Sequence, residues 1–278
     1  MNYSVIRYSI LLALLFTLGS WGEKTHRKIN SSCVEYFPKE INGLKAWSTF
    51  LGDHASDADN RKKSDKNEFV KHFIDIDIYD DFIITHKMTE DFNAACTKYG
   101  KAKVMKNGTL PWVTDSTYQA LVQNFKFKNW QQAEVTAADL GHYVGDGFMP
   151  LHITANYNGQ LTDQKGIHSR YEVTMIDKYI DPISFKTSRI RKVKNIQSTI
   201  FGYLYSNYNY IPFLLQADSK AYAQSGKQYN ENYYQSLWQE TSVFTIHLLQ
   251  ESSKTLASLI YTAWIEAGKP KIPSNLGQ

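Results

Sequence analysis

The run TKYGKAKVMKNGTLPWVTDSTYQALVQNFKFKNWQQAEVTAADLGHYVGDGF, positions 97–148, decides how the chain is read. NGTLPW (107–112) is a loop signal, because Gly and Pro punctuate regular structure. After it Leu121, Val122, Phe125 and Phe127 recur at helical intervals, and Ala133, Ala137, Leu140 and Val144 form a second periodic run. Two helices packed against each other are the economical reading. A third, longer helix is predicted from about Glu231 to Ala267, where Leu237, Val243, Phe244, Leu248, Leu249, Leu256, Leu259, Ile260 and Trp264 keep helical spacing and Gly268-Lys269-Pro270 supplies the stop. Strand signals are scarce: FIDIDIYDDF (73–82) alternates over a few residues and then reaches charge. The predicted fold is all-α, a single-domain multi-helix bundle whose interior-facing side chains include metal ligands. The tyrosine-rich stretches FGYLYSNYNYIPF (201–213) and QYNENYY (228–234) either line a substrate cleft or cap a core edge, the latter being the more common use.

The amino terminus has the three-part layout of a secretory signal: Arg7, the apolar stretch ILLALLFTL (10–18), then Gly19 and Ser20. Residues 1–20 are therefore expected to be removed, leaving 21–278 as one secreted or periplasmic domain with Trp21 at its start. The rival reading is an uncleaved anchor. The stretch falls short of the ~20 apolar residues a spanning helix needs, and nothing downstream approaches that length. Lys+Arg number 31 against 27 Asp+Glu, a net charge of +4, or about +3 once Arg7 is lost. That balance is too mild to argue for nucleic acid, and NRKKSDK (60–66) reads as a solvated loop. Cys33 and Cys96 permit one disulfide or two free thiols, and neither has zinc or redox spacing.

Five of the eight histidines fall in short motifs rich in carboxylates. In GHYVGDGFMPLH (141–152), His142 and Asp146 are four apart and share one helix face, so both can reach the same ion. Met149-Pro150 then perturbs the helix, because proline lacks a backbone donor and disfavours α geometry before it. His152 is thereby aimed elsewhere, with Asp146 as the candidate bridging ligand. GIHSRYE (166–172) repeats the spacing in His168 and Glu172, across a turn-rich loop. KHFIDID (71–77) offers His72, and HASDAD (54–59) offers Asp57 or Asp59. Arg61 beyond them is a candidate donor to a phosphoryl oxygen, where a planar fork suits the transition state. In WGEKTH (21–26), cleavage would give Trp21 a free α-amino group, which titrates near ~7.7–8.0 and can chelate an ion together with its own carbonyl; His26 would complete that site. Alone, each motif is an ordinary core pair, surface ion pair or packed aromatic. Together they exceed the coordination positions of one metal and suit two or three zinc ions.

In order and wording these residues resemble the secreted trinuclear zinc hydrolases, which comprise bacterial zinc-dependent phospholipase C and the single-strand nucleases of the S-one and P-one type. The resemblance runs from Trp21 to about Glu172. It implies one zinc on Trp21, His26 and Asp146, a second on Asp57, His72, His142 and the same Asp146, and a third on His152, His168 and Glu172. The gap-free distance to HFID favours Asp57, which is taken here; the A-S-x-A-D wording favours Asp59. GIHSRYE is worded like the phospholipases, whereas WGEKTH and HFID read like the nucleases. Phe69 matches an aromatic that holds choline in the phospholipases, but Ala58 stands where they have Tyr and Glu23 is one place off, so a choline pocket is not expected. Phe73 and Asp75 match the nucleases' base pocket.

The expected activity is zinc-dependent hydrolysis of phosphate diesters of the phospholipase C type, with three Zn2+, a zinc-bridging hydroxide as nucleophile, and Asp146 and Asp57 in catalytic roles. A single-strand nuclease or 3'-nucleotidase with the same site is the alternative. A secreted zinc-binding protein without turnover is a further one. Substrate-binding candidates are Arg61, Phe69, Phe73 and Asp75; the substrate would be a phospholipid or a single-stranded nucleic acid, and no stable protein partner is predicted.

Overall fold

The two periodic runs at the centre of the chain fold into a helical hairpin. In the computed structural model, which describes residues 22–185, 188–274 and 276, the helices are α1 (Glu23–Ser32), α2 (Ser48–Asp53), α3 (Asp57–Arg61), α4 (Asp80–Thr85), α5 (Phe92–Tyr99), α6 (Lys101–Lys106), α7 (Leu110–Lys126), α8 (Trp130–Phe148), α9 (Ile167–Ser169), α10 (Ile176–Tyr179), α11 (Ile196–Tyr208), α12 (Ile211–Gln224) and α13 (Glu231–Glu266). Among the described residues there is no strand. The expected signal segment and Trp21 lie outside them.

Pro111 opens α7, where a missing N–H costs nothing, and the hairpin turns at Lys128, which has φ 59°. That turn corrects one expectation: Phe127 falls past the helix end and is 73% exposed, while Leu121, Val122 and Phe125 are buried. Helix α13 runs behind α7, α8 and α1. Its Leu237, Leu248, Leu249, Leu256, Leu259 and Ile260 are buried, each such side chain stabilising the fold by roughly 1.5–3 kcal/mol. Val243, expected among them, sits about 140° around the helix from Leu248 and is 84% exposed.

FIDIDIYDDF becomes a 3-10 turn (Ile76–Ile78) followed by α4. Its alternation still has a structural counterpart, because Ile74 N–H donates to His152 O at 2.9 Å and Ile76 N–H to Ile153 O at 3.3 Å. This pairing holds His72 and His152 side by side. The NGTLPW loop closes over the same segment, with Thr109 N–H on Val70 O and Leu110 N–H on Phe73 O. Gly108, at φ +94°, passes so close that a Cβ would lie 2.0 Å from Phe73 O, an approach only glycine allows. The tyrosines of the 201–234 region pack at core edges: Tyr203 stacks on Phe148, Tyr210 stacks on Phe244, and Tyr233 is buried. Cys33 and Cys96 are both free thiols. No helix among the described residues is long and apolar enough to cross a membrane.

Candidate metal centre

Helix α8 supplies the middle of the centre. His142 and Asp146, one turn apart, are both fully buried. The two oxygens of Asp146 face different imidazoles. Oδ2 lies 2.9 Å from His72 Nδ1 and 3.3 Å from His142 Nε2, whereas Oδ1 lies 3.2 Å from His152 Nδ1 and 3.5 Å from His26 Nε2. Burial opposes ionisation of Asp146, but His142 and then His152 outweigh it and hold the carboxyl well below the usual range.

Around it the donors fall into three groups, each with ligand atoms near enough for one ion: His26, His142 and Asp146; Asp59, His72 and His142; His152, His168 and Glu172. Trp21 lies outside the described residues. His26 comes from α1, and its ring stacks on His142 with centroids 4.0 Å apart; burial first, and the His142 charge next, push its pKa down to about 4. Helix α8 stops at Phe148, and Met149 adopts extended backbone before the 3-10 turn Pro150–His152. That break turns His152 back toward Asp146 on one side and toward His168 on the other, with Nε2 atoms 3.3 Å apart. Burial would lower the His152 pKa, yet Asp146 and Glu172 push it up to about 10. The third group also corrects an assumption about its helix. The spacing of His168 and Glu172 predicts an α-turn, but after α9 the chain winds as a π-turn over Arg170–Met175, a form frequent at functional sites. His168 and Glu172 still meet as an ion pair.

The choice of Asp57 is overturned by position. Asp59 approaches His72 Nδ1 at 3.5 Å and His142 Nε2 at 3.6 Å, held by Lys62 at 2.6 Å. Asp57 turns away and pairs with His54 Nδ1 at 2.7 Å. Both residues belong to α3, and two helical positions differ by about 200° in direction, so they cannot share a face. Asp57 therefore has neither the ligand place nor the proton-accepting place expected for it.

The donor chemistry fits a cation. His142 Nδ1 donates to Ala55 O at 2.7 Å and His168 Nδ1 to Tyr157 O at 3.1 Å, so each turns Nε2 to the interior, where it offers a lone pair once its proton is displaced. Those nitrogens face carboxylates: Asp146 Oδ2 for His142 and Glu172 for His168. Among the described residues, the ion-pair neighbours of the fully buried Glu172 carboxylate are the imidazoles of His152 and His168. Buried carboxylates facing imidazole nitrogens in a dry site need positive charge between them, which protons on the rings or a bound cation would supply.

Beside the centre lies a cavity of about 250 Å³, lined by Lys62, Phe69, His72, Phe73, Asp75, Lys106, Asn107, Leu151, His152, Tyr157 and His168. Three of the substrate-binding candidates are here. Phe69 and Phe73 meet edge-to-face with centroids 5.5 Å apart, and burial, then the Asp77 charge, pushes the Asp75 carboxyl up to about 7. Arg61 does not line this cavity; its guanidinium donates to Asp139 at 3.0 Å and stands 3.6 Å from Glu68. Sequence reasoning missed Lys62, Lys106, Asn107, Tyr157 and Glu68. Of these only Glu68, four before His72, repeats a spacing that could have signalled it.

No protein-family model matches the chain, and no curated protein matches it significantly.

Proposed function

We propose that the protein is an exported zinc-dependent hydrolase of phosphate esters whose substrate is a single-stranded nucleic acid or nucleotide. The observation that supports it best is the division of Asp146 between two pairs of buried imidazoles beside a cavity lined by two phenylalanine rings and two lysines. Zinc ions held by His26, Asp59, His72, His142, Asp146, His152, His168 and Glu172 would supply Lewis-acid charge and acidify water.

The chain's own side chains do the rest. Lys62 and Lys106 line the cavity and would offer positive charge to phosphoryl oxygens. Phe69 and Phe73 offer a stacking surface for a base, a sequence-tolerant contact worth about 1–3 kcal/mol. Asp75 and Asn107 can hydrogen-bond its polar edges. A choline headgroup would be opposed by the two lysines, and acyl chains would find only a short cavity.

The test is a side-by-side assay of the zinc-loaded protein on single-stranded DNA, a 3'-nucleotide and phosphatidylcholine vesicles, with metal content measured on the same sample. Cleavage of DNA or nucleotide with bound zinc is expected. Release of diacylglycerol alone would return the phospholipase reading, and bound metal without hydrolysis of any ester would leave a zinc-binding protein.

A further inference from the structure

Glu68 has no part in the chemistry above, yet it is 1% exposed and sits among charged groups at the edge of the centre. It precedes the 3-10 turn Phe69–Lys71, whose end carries His72. Tyr143 Oη donates to its Oε1 at 2.5 Å and Lys71 Nζ to its Oε2 at 2.6 Å, and Arg61 Nε stands 3.6 Å from Oε2. Oε1 also lies 3.6 Å from His72 Nε2. Arg61 is itself fixed by Asp139 at 3.0 Å, so the carboxylate is anchored from several elements.

His72 is used differently from its neighbours. His142 and His168 give Nδ1 to a backbone carbonyl and turn Nε2 inward. His72 turns Nδ1 inward, 2.9 Å from both Asp146 Oδ2 and His142 Nε2. Its outward nitrogen is therefore Nε2, and the acidic group facing it is Glu68. A ligating imidazole needs an acceptor for its other N–H, which sets both tautomer and ring orientation.

We propose that Glu68 is the positioning residue of His72: Oε1, 3.6 Å away, is the acceptor toward which the Nε2–H is directed, leaving the Nδ1 side of the ring aimed at Asp59, His142 and Asp146, while Tyr143, Lys71 and Arg61 hold the carboxylate in place. The role rests on the metal-centre reading. It also gives Arg61 a task, as the counter-charge of Glu68 and Asp139 away from the substrate cavity.

The test is long-range 1H–15N NMR of the histidines in the intact protein, with and without added zinc, for wild type, Glu68→Gln and Glu68→Asp, alongside zinc affinity by chelator competition. With zinc bound, wild type should carry the His72 proton on Nε2, whereas without zinc Nδ1 can also donate to Asp146. In Glu68→Gln the amide oxygen is drawn to Lys71 and Arg61, so its NH2 faces His72; the proton should move to Nδ1 and zinc affinity at one site should fall 10–100-fold, with partial recovery in Glu68→Asp. Should Glu68→Gln not fold, Tyr143→Phe, which removes one anchor, should show the same shift to a smaller degree. A zinc-bound wild type with its His72 proton on Nδ1, or a tautomer indifferent to Glu68, overturns the proposal and leaves the metal centre standing. Absence of zinc binding by wild type would instead sink the metal-centre reading, and this role with it.

Discussion

Asp57 and Asp59 differ by two positions and by everything that matters to the centre. Asp59 faces His72 and His142, whereas Asp57 pairs with a half-exposed His54. Asp59→Asn should lower activity on the best substrate by at least about 100-fold, beyond the 10–100-fold typical of outer-shell partners, and Asp57→Asn should stay within about threefold of wild type; steady-state kinetics on the pair decides. A second residue gives a pH signature. Asp75, at about 7, keeps its proton in the folded state where an unfolded aspartate, near 3.9, has lost it. The folded form binds more protons between about pH 4 and 7, so stability falls as pH rises through that window. Thermal melts should show the advantage of wild type over Asp75→Asn shrinking from pH 4.5 to 7.5; a constant difference would contradict the shift.

At the scale of elements, the centre depends on how closely α1 approaches α8. Gly141 lies in that contact, where a Cβ would meet Asn30 Oδ1 at 2.2 Å and Leu256 Cδ2 at 2.7 Å. Asn30 cannot swing away without losing its hydrogen bonds to Leu51 O and Ala138 O. Helix propensity favours alanine by about 1 kcal/mol, and overpacking costs typically 1–3 kcal/mol. Gly141→Ala should therefore destabilise the fold on balance, with the denaturant midpoint lowered at an unchanged slope, and should loosen His26 on the same helix as Asn30. The glycine was visible in the sequence, but its reason was not, since Asn30 is over a hundred residues away. The interruption at Met149-Pro150 was readable, because proline's lost donor and its effect on the preceding residue are local. The π-turn at Arg170–Met175 was not, because Arg170 is held by Asp218, Tyr233 and backbone carbonyls distant in sequence or across a loop.

At the scale of the molecule, α1, α3, α8, α9, the 3-10 turns Phe69–Lys71 and Pro150–His152 and the π-turn converge on one set of imidazoles and carboxylates. Zinc binding only the folded form would contribute about 4.1 kcal/mol at a free concentration 1,000 times the dissociation constant. For a domain of this size that corresponds to roughly 8–16 °C in Tm per site. Calorimetry before and after EDTA should show a drop of that order, reversed by zinc and not by magnesium. An unchanged Tm would mean that no tightly held ion supports the fold.

The sequence by itself determined the all-α class, the α7–α8 hairpin, the long α13 and the identity of most buried donors, because helical period, helix stops and four-residue ligand spacing are local properties of the chain. Only the tertiary structure decided which aspartate of HASDAD faces inward, that His72 presents Nδ1, that Arg61 belongs to Glu68 and Asp139, and that Lys62 and Lys106 share a cavity with Phe73. Those choices turn on the direction of a short helix and on loops closing over one another, and direction in space is set by packing between segments that no local pattern records.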